Sequence, residues 1–432
     1  MGVILSLLLI FYIYAAPAVW FPFLVGVPML DAIGILALLG SIPRFVSQCS
    51  VRLAPHVLLS IVFLLYTSAS MILAHWVGGV PRTMLELIPG VFAIVLCWIN
   101  FDTVFARKML ALTLAATLGG LVVVGAWQYH HDPDDSLFVH HQLQIDDNAD
   151  YQDRSDIPAV DRLQAVGVLN DPNDFAQALL VTVSLLGFLW GANFITNVFL
   201  VILPGTLLLY GVYLTKSRGA VVTLAVMAMV FARRHVRWWV GAIVAAVLGV
   251  ALLAGGFTAG RKISMQDGAD RIEIWADGWE MLKHAPVLGS GHGTFSDREG
   301  ITAHNSFLLV AVELGFVGLI IWVAIFVFCF FQIKQIAAPP GPTPPDPVLA
   351  HHARTMEVAL TAYLASSCFL SRVYTALPLI LVGVVAALAT EQWRSRTDLA
   401  LVPPVRRWLP VSGALSCAII GALYIVIRVQ AR

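Results

Sequence analysis

Three arginines and one histidine, Arg162, Arg218, Arg271 and His304, stand out for their chemistry from an otherwise apolar sequence. Arginine keeps its charge at any working pH and presents a planar fork that matches two phosphate oxygens at once. A neutral imidazole takes a proton from a hydroxyl near neutral pH. Fixed cations beside such a base suit a displacement in which a hydroxyl attacks and a diphosphate leaves. The guanidinium groups would stabilise the departing charge, the task of a metal ion in other enzymes. Each residue also has an ordinary reading. Cations at helix ends snorkel to the interface at little cost, and a histidine where a loop meets a helix needs no function. The convergence of all four on one side of a membrane favours the chemical reading.

His304 lies in Ala303-His304-Asn305-Ser306-Phe307-Leu308, where a polar loop hands over to a long apolar run. The first turn of a helix carries partial positive charge, which disfavours imidazolium and keeps a histidine there basic in form. Asn305 is its neighbour and a supporting candidate. Glu313 follows nine residues after His304, on the opposite face of a regular helix, so it is expected to bond a neighbouring helix instead. Arg218 sits beside Lys216 in the tight turn Thr215-Lys216-Ser217-Arg218-Gly219, between two apolar segments. Arg162 precedes Asn170-Asp171-Pro172-Asn173-Asp174, a turn in which Asp171, Asn173 or Asp174 caps the next helix. Asn173 is then either that cap or an amide aimed at a polar ligand. Arg271 opens the stretch Asp270 to His284, where Ile272, Trp275, Trp279 and Leu282 share one helical stripe. That pattern predicts a helix lying along the interface with its tryptophans at headgroup depth. The glycines of Pro286-Val287-Leu288-Gly289-Ser290-Gly291-His292-Gly293 have no strand before them and are no dinucleotide fingerprint. They predict a tight turn whose amides could touch a phosphate.

The elements that must hold these residues are membrane helices. Of the 432 residues 59% are hydrophobic and 12% charged, about half the charge of a soluble globular protein; mean hydropathy is +0.83. Runs long enough to cross a bilayer recur throughout, near 1–20, 21–41, 55–77, 84–101, 108–129, 174–192, 194–214, 219–233, 238–259, 304–333, 353–371, 373–391 and 408–428. The fold class is therefore all-α: one polytopic bundle over 1–432 of about twelve transmembrane helices, with 1–41 as one span or two. Zero net formal charge gives no reason to expect nucleic acid. Basic residues mark alternate short loops: Arg44 and Arg52, Arg107 and Lys108, Arg233, Arg234 and Arg237, Lys334, then Arg394, Arg396, Arg406 and Arg407. Those loops are assigned to the cytoplasm. Two long loops, about 130–173 and 260–303, and the turns at 215–219 and 371–372 then face outward. The first outer loop is acidic and carries the pairs His130, His131 and His140, His141 without the ligand spacing of a metal site. No metal and no cofactor is expected. The five cysteines read as packing residues, and the apolar start, lacking a basic flank, as an uncleaved first helix.

Lys216-Ser217-Arg218-Gly219-Ala220, the segment Arg271 to Trp275, the glycine turn, Ala303 to Leu308 and Glu313-Leu314-Gly315 together resemble the O-antigen ligase and polymerase superfamily. Asn170-Asp171-Pro172-Asn173 is similar to its earlier motif. The resemblance covers roughly 160–335. It implies a periplasm-facing, metal-independent, inverting GT-C glycosyltransferase in the bacterial inner membrane, with an undecaprenyl-diphosphate glycan as donor. It implies further that Arg218 and Arg271, and with less support Arg162, bind the diphosphate, and that His304 acts on the acceptor. A ligase acting on lipid A-core is the first expectation, ahead of a polymerase or a protein O-oligosaccharyltransferase. A transporter or flippase for the same lipid-linked glycan is the competing class, and a scaffold would leave the arginines unexplained.

Overall fold

In lipid a chain must satisfy its own N–H and C=O groups, so apolar runs fold as helices. The computed structural model describes residues 1–48, 54–143, 159–233, 239–241, 243, 265–339, 344–395 and 404–430. Its longer helices are α1 (Gly2–Ala15), α2 (Met29–Gln48), α3 (Pro55–Ala69), α4 (Gly79–Asn100), α5 (Val104–His131), α6 (Pro172–Leu185), α7 (Leu203–Leu214), α8 (Arg218–Ala232), α9 (Met265–His284), α10 (Ser306–Ala337), α11 (Pro347–Ser367), α12 (Ala376–Ser395) and α13 (Val405–Gln430). An antiparallel pair, β1 (Val139–Leu143) and β2 (Ala159–Leu163), sets His140 opposite Arg162. The chain is an all-α polytopic protein.

Nine helices among the described residues are long and apolar enough to cross a membrane. The expected twelve are not reached on that measure, for local reasons. Helix α1 stops at Ala16, which adopts the left-handed conformation at φ 44° before Pro17, so 1–41 forms two separate helices. Helix α8 is a shorter apolar element, and α11 carries His351, His352, Arg354 and Glu357. The expected span 238–259 lies mostly outside the described residues. So do Arg52, Arg234, Arg237, Arg396 and the acidic stretch 144–158. Of the cysteines, Cys97, Cys329, Cys368 and Cys417 are free thiols.

Two polar layers bound the apolar core. At the arginine-rich end, Asp102 is 1% exposed and accepts hydrogen bonds from Arg44 and Arg394. Arg107 is fully buried; it donates to His352 Nδ1 at 2.9 Å and to the Phe101 carbonyl at 3.1 Å, and pairs with Glu391 at 2.6 Å. These contacts knit α2, α5, α11 and α12. The other layer, at the opposite end of the bundle, holds the candidate site.

Helix α10 is not the continuous rod that its apolar run suggests. At Gly315 the backbone leaves helical geometry, φ 65° and ψ −169°. The glycine turn enters the gap. Ser290 N donates to the Val312 carbonyl and Gly291 N to that of Glu313, while Phe316 N and Val317 N donate to the carbonyls of Pro286 and Val287. A Cβ on Gly315 would stand 2.3 Å from Val287 O, and one on Gly289 2.3 Å from Glu313 O. Only glycine at both positions lets the two backbones meet.

Candidate functional site

The site layer is assembled from helix N-termini. Asp171 caps α6, accepting from the amides of Asn173 and Asp174 at 2.7 and 3.3 Å. The cap is therefore Asp171, and the Asn173 side chain is left for other bonds. Ser217 caps α8 by accepting from Ala220 N, directly after Lys216, which sits at φ 49°. Asn305 caps α10, accepting from Phe307 N and Leu308 N at 3.0 and 3.1 Å. The partial positive charges of these three first turns gather at one end of the bundle and favour an anion there.

Side chains tie the three ends together. Arg162 Nη2 and Ser217 Oγ both donate to Asn173 Oδ1 at 2.8 Å. Arg162 also donates through Nε to the Thr215 carbonyl and through Nη1 to Gln142 Oε1, each at 2.9 Å. It is 4% exposed. Its fork is turned inward onto the chain, where it braces β2, α6 and the turn that presents Lys216 and Arg218. Lys216 Nζ lies 5.6 Å from the centre of the Tyr129 ring. Arg218 is half-buried as the first residue of α8.

His304 is half-buried immediately before the α10 cap at φ 48°, a strained region for a side chain with a Cβ. Its neighbours are held on both sides. Trp275 Nε1 donates to the Ala303 carbonyl at 2.8 Å, which anchors α9 beside it. Ser306 Oγ donates to the Leu370 carbonyl and accepts from Arg372 N at 3.1 Å. Arg271 lies on α9 about one turn before Trp275; its side chain lies outside the described residues. The expected helix forms and spans Met265–His284 among the described residues. It packs its stripe onto the bundle, with Leu282 5% exposed and Trp279 5.3 Å from the Tyr424 ring of α13.

Arg372, Asp174 and Tyr374 complete the layer; sequence reasoning offered Asp174 only as a helix cap and selected neither Arg372 nor Tyr374 for the site. Arg372 donates to Asp174, joining the α11–α12 turn to the start of α6. The available signal was a cation in a short turn on the outward side. Glu313 does bond a neighbour: Tyr374 donates to Oε2 at 2.8 Å and Gly293 N to Oε1 at 3.0 Å. Burial first, then the charge and hydrogen bond of Glu313, raise the Tyr374 phenol well above its usual range, so it stays a donor. His292 N donates to Ser70 Oγ at 2.9 Å. With Gly289 N on the Ala285 carbonyl, each amide from Gly289 to Gly293 binds protein, so none of these five is left for a phosphate. Asp31 sits in the first turn of α2. His130 meets Tyr210 and His141 meets Asp161, each at 2.7 Å.

The O-antigen ligase family model matches residues 203–323, from the start of α7 to the middle of α10. Over that segment the chain is similar to the O-antigen ligase and polymerase superfamily. Arg218, Arg271, His304 and Glu313 fall inside the matched segment, whereas Arg162, Asn173 and Arg372 fall outside it. No curated protein matches the chain.

Proposed function

We propose that this protein is a member of that superfamily and transfers a glycan from undecaprenyl diphosphate to an acceptor hydroxyl at the periplasmic face of the bacterial inner membrane. The observation that carries the proposal is the shared layer of three helix N-termini, which sets Arg218 and His304 on one hydrogen-bonded frame. In the proposed step His304 removes the acceptor proton. The acceptor oxygen then attacks the anomeric carbon as the bond to the diphosphate oxygen breaks, with inversion. The leaving diphosphate is received by Arg218 and Arg271 and by the positive first turns of α8 and α10. Lys216 adds charge at the rim, and Arg162, Asn173 and Asn305 hold the frame.

The buried network at the opposite end supports transfer over transport. A flippase must open both ends in turn, and parting Asp102 from Arg44 and Arg394 would leave a buried carboxylate unmatched. Lipid A-core is the proposed acceptor class, ahead of a growing glycan or a protein hydroxyl. The test is transfer by the purified full chain from undecaprenyl-diphosphate glycan to lipid A-core, with and without excess EDTA. Transfer in both arms is expected. Loss on chelation, restored by one divalent metal, would overturn the arginine mechanism; transfer only to free glycan would move the assignment to a polymerase.

A further inference from the structure

The cavity on the other side of the Arg372–Asp174 pair has no part in the chemistry above. It encloses about 230 Å³ between α1, α2, α4, the start of α6 and the start of α12. A single water needs only about 10–15 Å³ on such a measure, so the space fits a ligand of monosaccharide size. Its polar wall is Arg372, Asp174, Gln177 and Tyr374, with Glu86 at the exposed edge. One cation against two carboxylates makes this wall unsuited to a diphosphate. Alternating donors and acceptors beside apolar residues such as Leu30 and Leu169 instead match the hydroxyls and C–H faces of a sugar.

A second observation points to a ligand. Tyr14 lines the same cavity, is 3% exposed, and its hydroxyl has no hydrogen-bond partner among the described residues. A buried hydroxyl left unpaired costs about 1–3 kcal/mol, so a group in an otherwise apolar helix that keeps it asks for an occupant. Arg372 is bonded through its amide to Ser306, two residues after His304. The cavity therefore adjoins the reacting centre without containing it.

We infer that this cavity is a sugar subsite, holding one uncharged monosaccharide unit of a glycan substrate next to the unit that reacts, with Tyr14 as a hydrogen-bonding group. The assignment rests on the glycosyl-transfer reading for its substrate, but its test separates the two. Tyr14→Phe removes only the oxygen that no described residue engages, so the fold loses nothing and the melting temperature stays within about a degree or rises. In the transfer assay Tyr14→Phe raises KM about tenfold for one of the two glycan substrates, the size of one neutral hydrogen bond, with kcat held. Saturation-transfer NMR of the full chain with the core oligosaccharide, and with the free glycan released from the donor, supplies a readout that needs no turnover. One of the two gives a signal with wild type and loses it with Tyr14→Phe. Wild-type transfer with both KM values unchanged in the variant overturns the subsite while leaving the transferase intact. No transfer but a Tyr14-dependent NMR signal overturns the transferase while leaving the subsite. Absence of an NMR signal for both oligosaccharides with wild type, or its survival in Tyr14→Phe, also overturns the subsite.

Discussion

His304 and Arg218 reach the site layer by different local means, and their tests differ accordingly. His304 owes its position to a strained backbone and to the Asn305 cap beside it, so removing its imidazole leaves the cap in place. His304→Ala is expected to slow transfer by roughly 10²–10⁴-fold with donor binding near normal. Wild-type activity falls as the pH drops and the imidazole protonates. A variant retaining half the rate at matched expression would reduce His304 to a boundary residue. Arg218→Lys keeps the charge but loses the fork and is expected to raise donor KM and lower turnover; a wild-type rate would end the clamp. Arg162→Gln behaves otherwise. It leaves Asn173 and the Thr215 carbonyl short of a donor and is expected to cost about 1–3 kcal/mol of stability. Thermal unfolding in detergent checks this: an unchanged midpoint with a raised donor KM would return Arg162 to the ligands.

At the scale of elements, the break in α10 explains why Glu313-Leu314-Gly315 and the turn at Gly289 belong together. Each supplies the backbone partners that the other lacks, two amides from the turn to α10 and two from α10 to the turn. Irregular backbone at membrane depth survives only when so satisfied. Gly315→Ala places a Cβ 2.3 Å from a carbonyl oxygen and holds a residue with a Cβ at φ 65°. A loss of several kcal/mol is expected, as in other strained and overpacked sites. It would be seen as a lower melting temperature and poor recovery of monodisperse protein. Gly413→Ala in α13, where a Cβ meets nothing within 4 Å, is the control expected to leave both unchanged. Equal behaviour of the two variants would mean that the inserted turn does not hold the helix.

At the scale of the molecule, the two polar layers divide the work. The site layer meets its substrates through loops and helix starts, whereas the opposite layer locks helices with buried charge. Asp102→Asn strands Arg44 and Arg394 together. The expected cost is about 1–3 kcal/mol, below the 3–5 of a fully buried pair, because the two arginines keep 26% and 33% of their surface. The melting temperature should fall without a change in substrate KM. A fall in KM or a gain of glycan translocation would instead mark this layer as a gate.

Much of this was legible without coordinates, and for a definite reason. Apolar run length reports directly on membrane helices, because lipid forces each run to satisfy its own backbone, and alternating basic loops report on which helix ends lie together. These local signals placed His304 at the mouth of a helix and Arg218 in a turn on the same side. They expected Glu313 to bond a neighbouring helix, whereas its partners Tyr374 and Gly293 lie in turns. They could not show that Arg162 turns inward, because a guanidinium suits carbonyl oxygens as well as phosphate and only the fold decides which it meets. Nor could they show Arg372 against Asp174, partners 198 residues apart in sequence, or the meeting of Gly289 with Gly315. Hydropathy and spacing describe each segment against its solvent. Which backbone donors find which acceptors across the bundle is settled only when the helices pack.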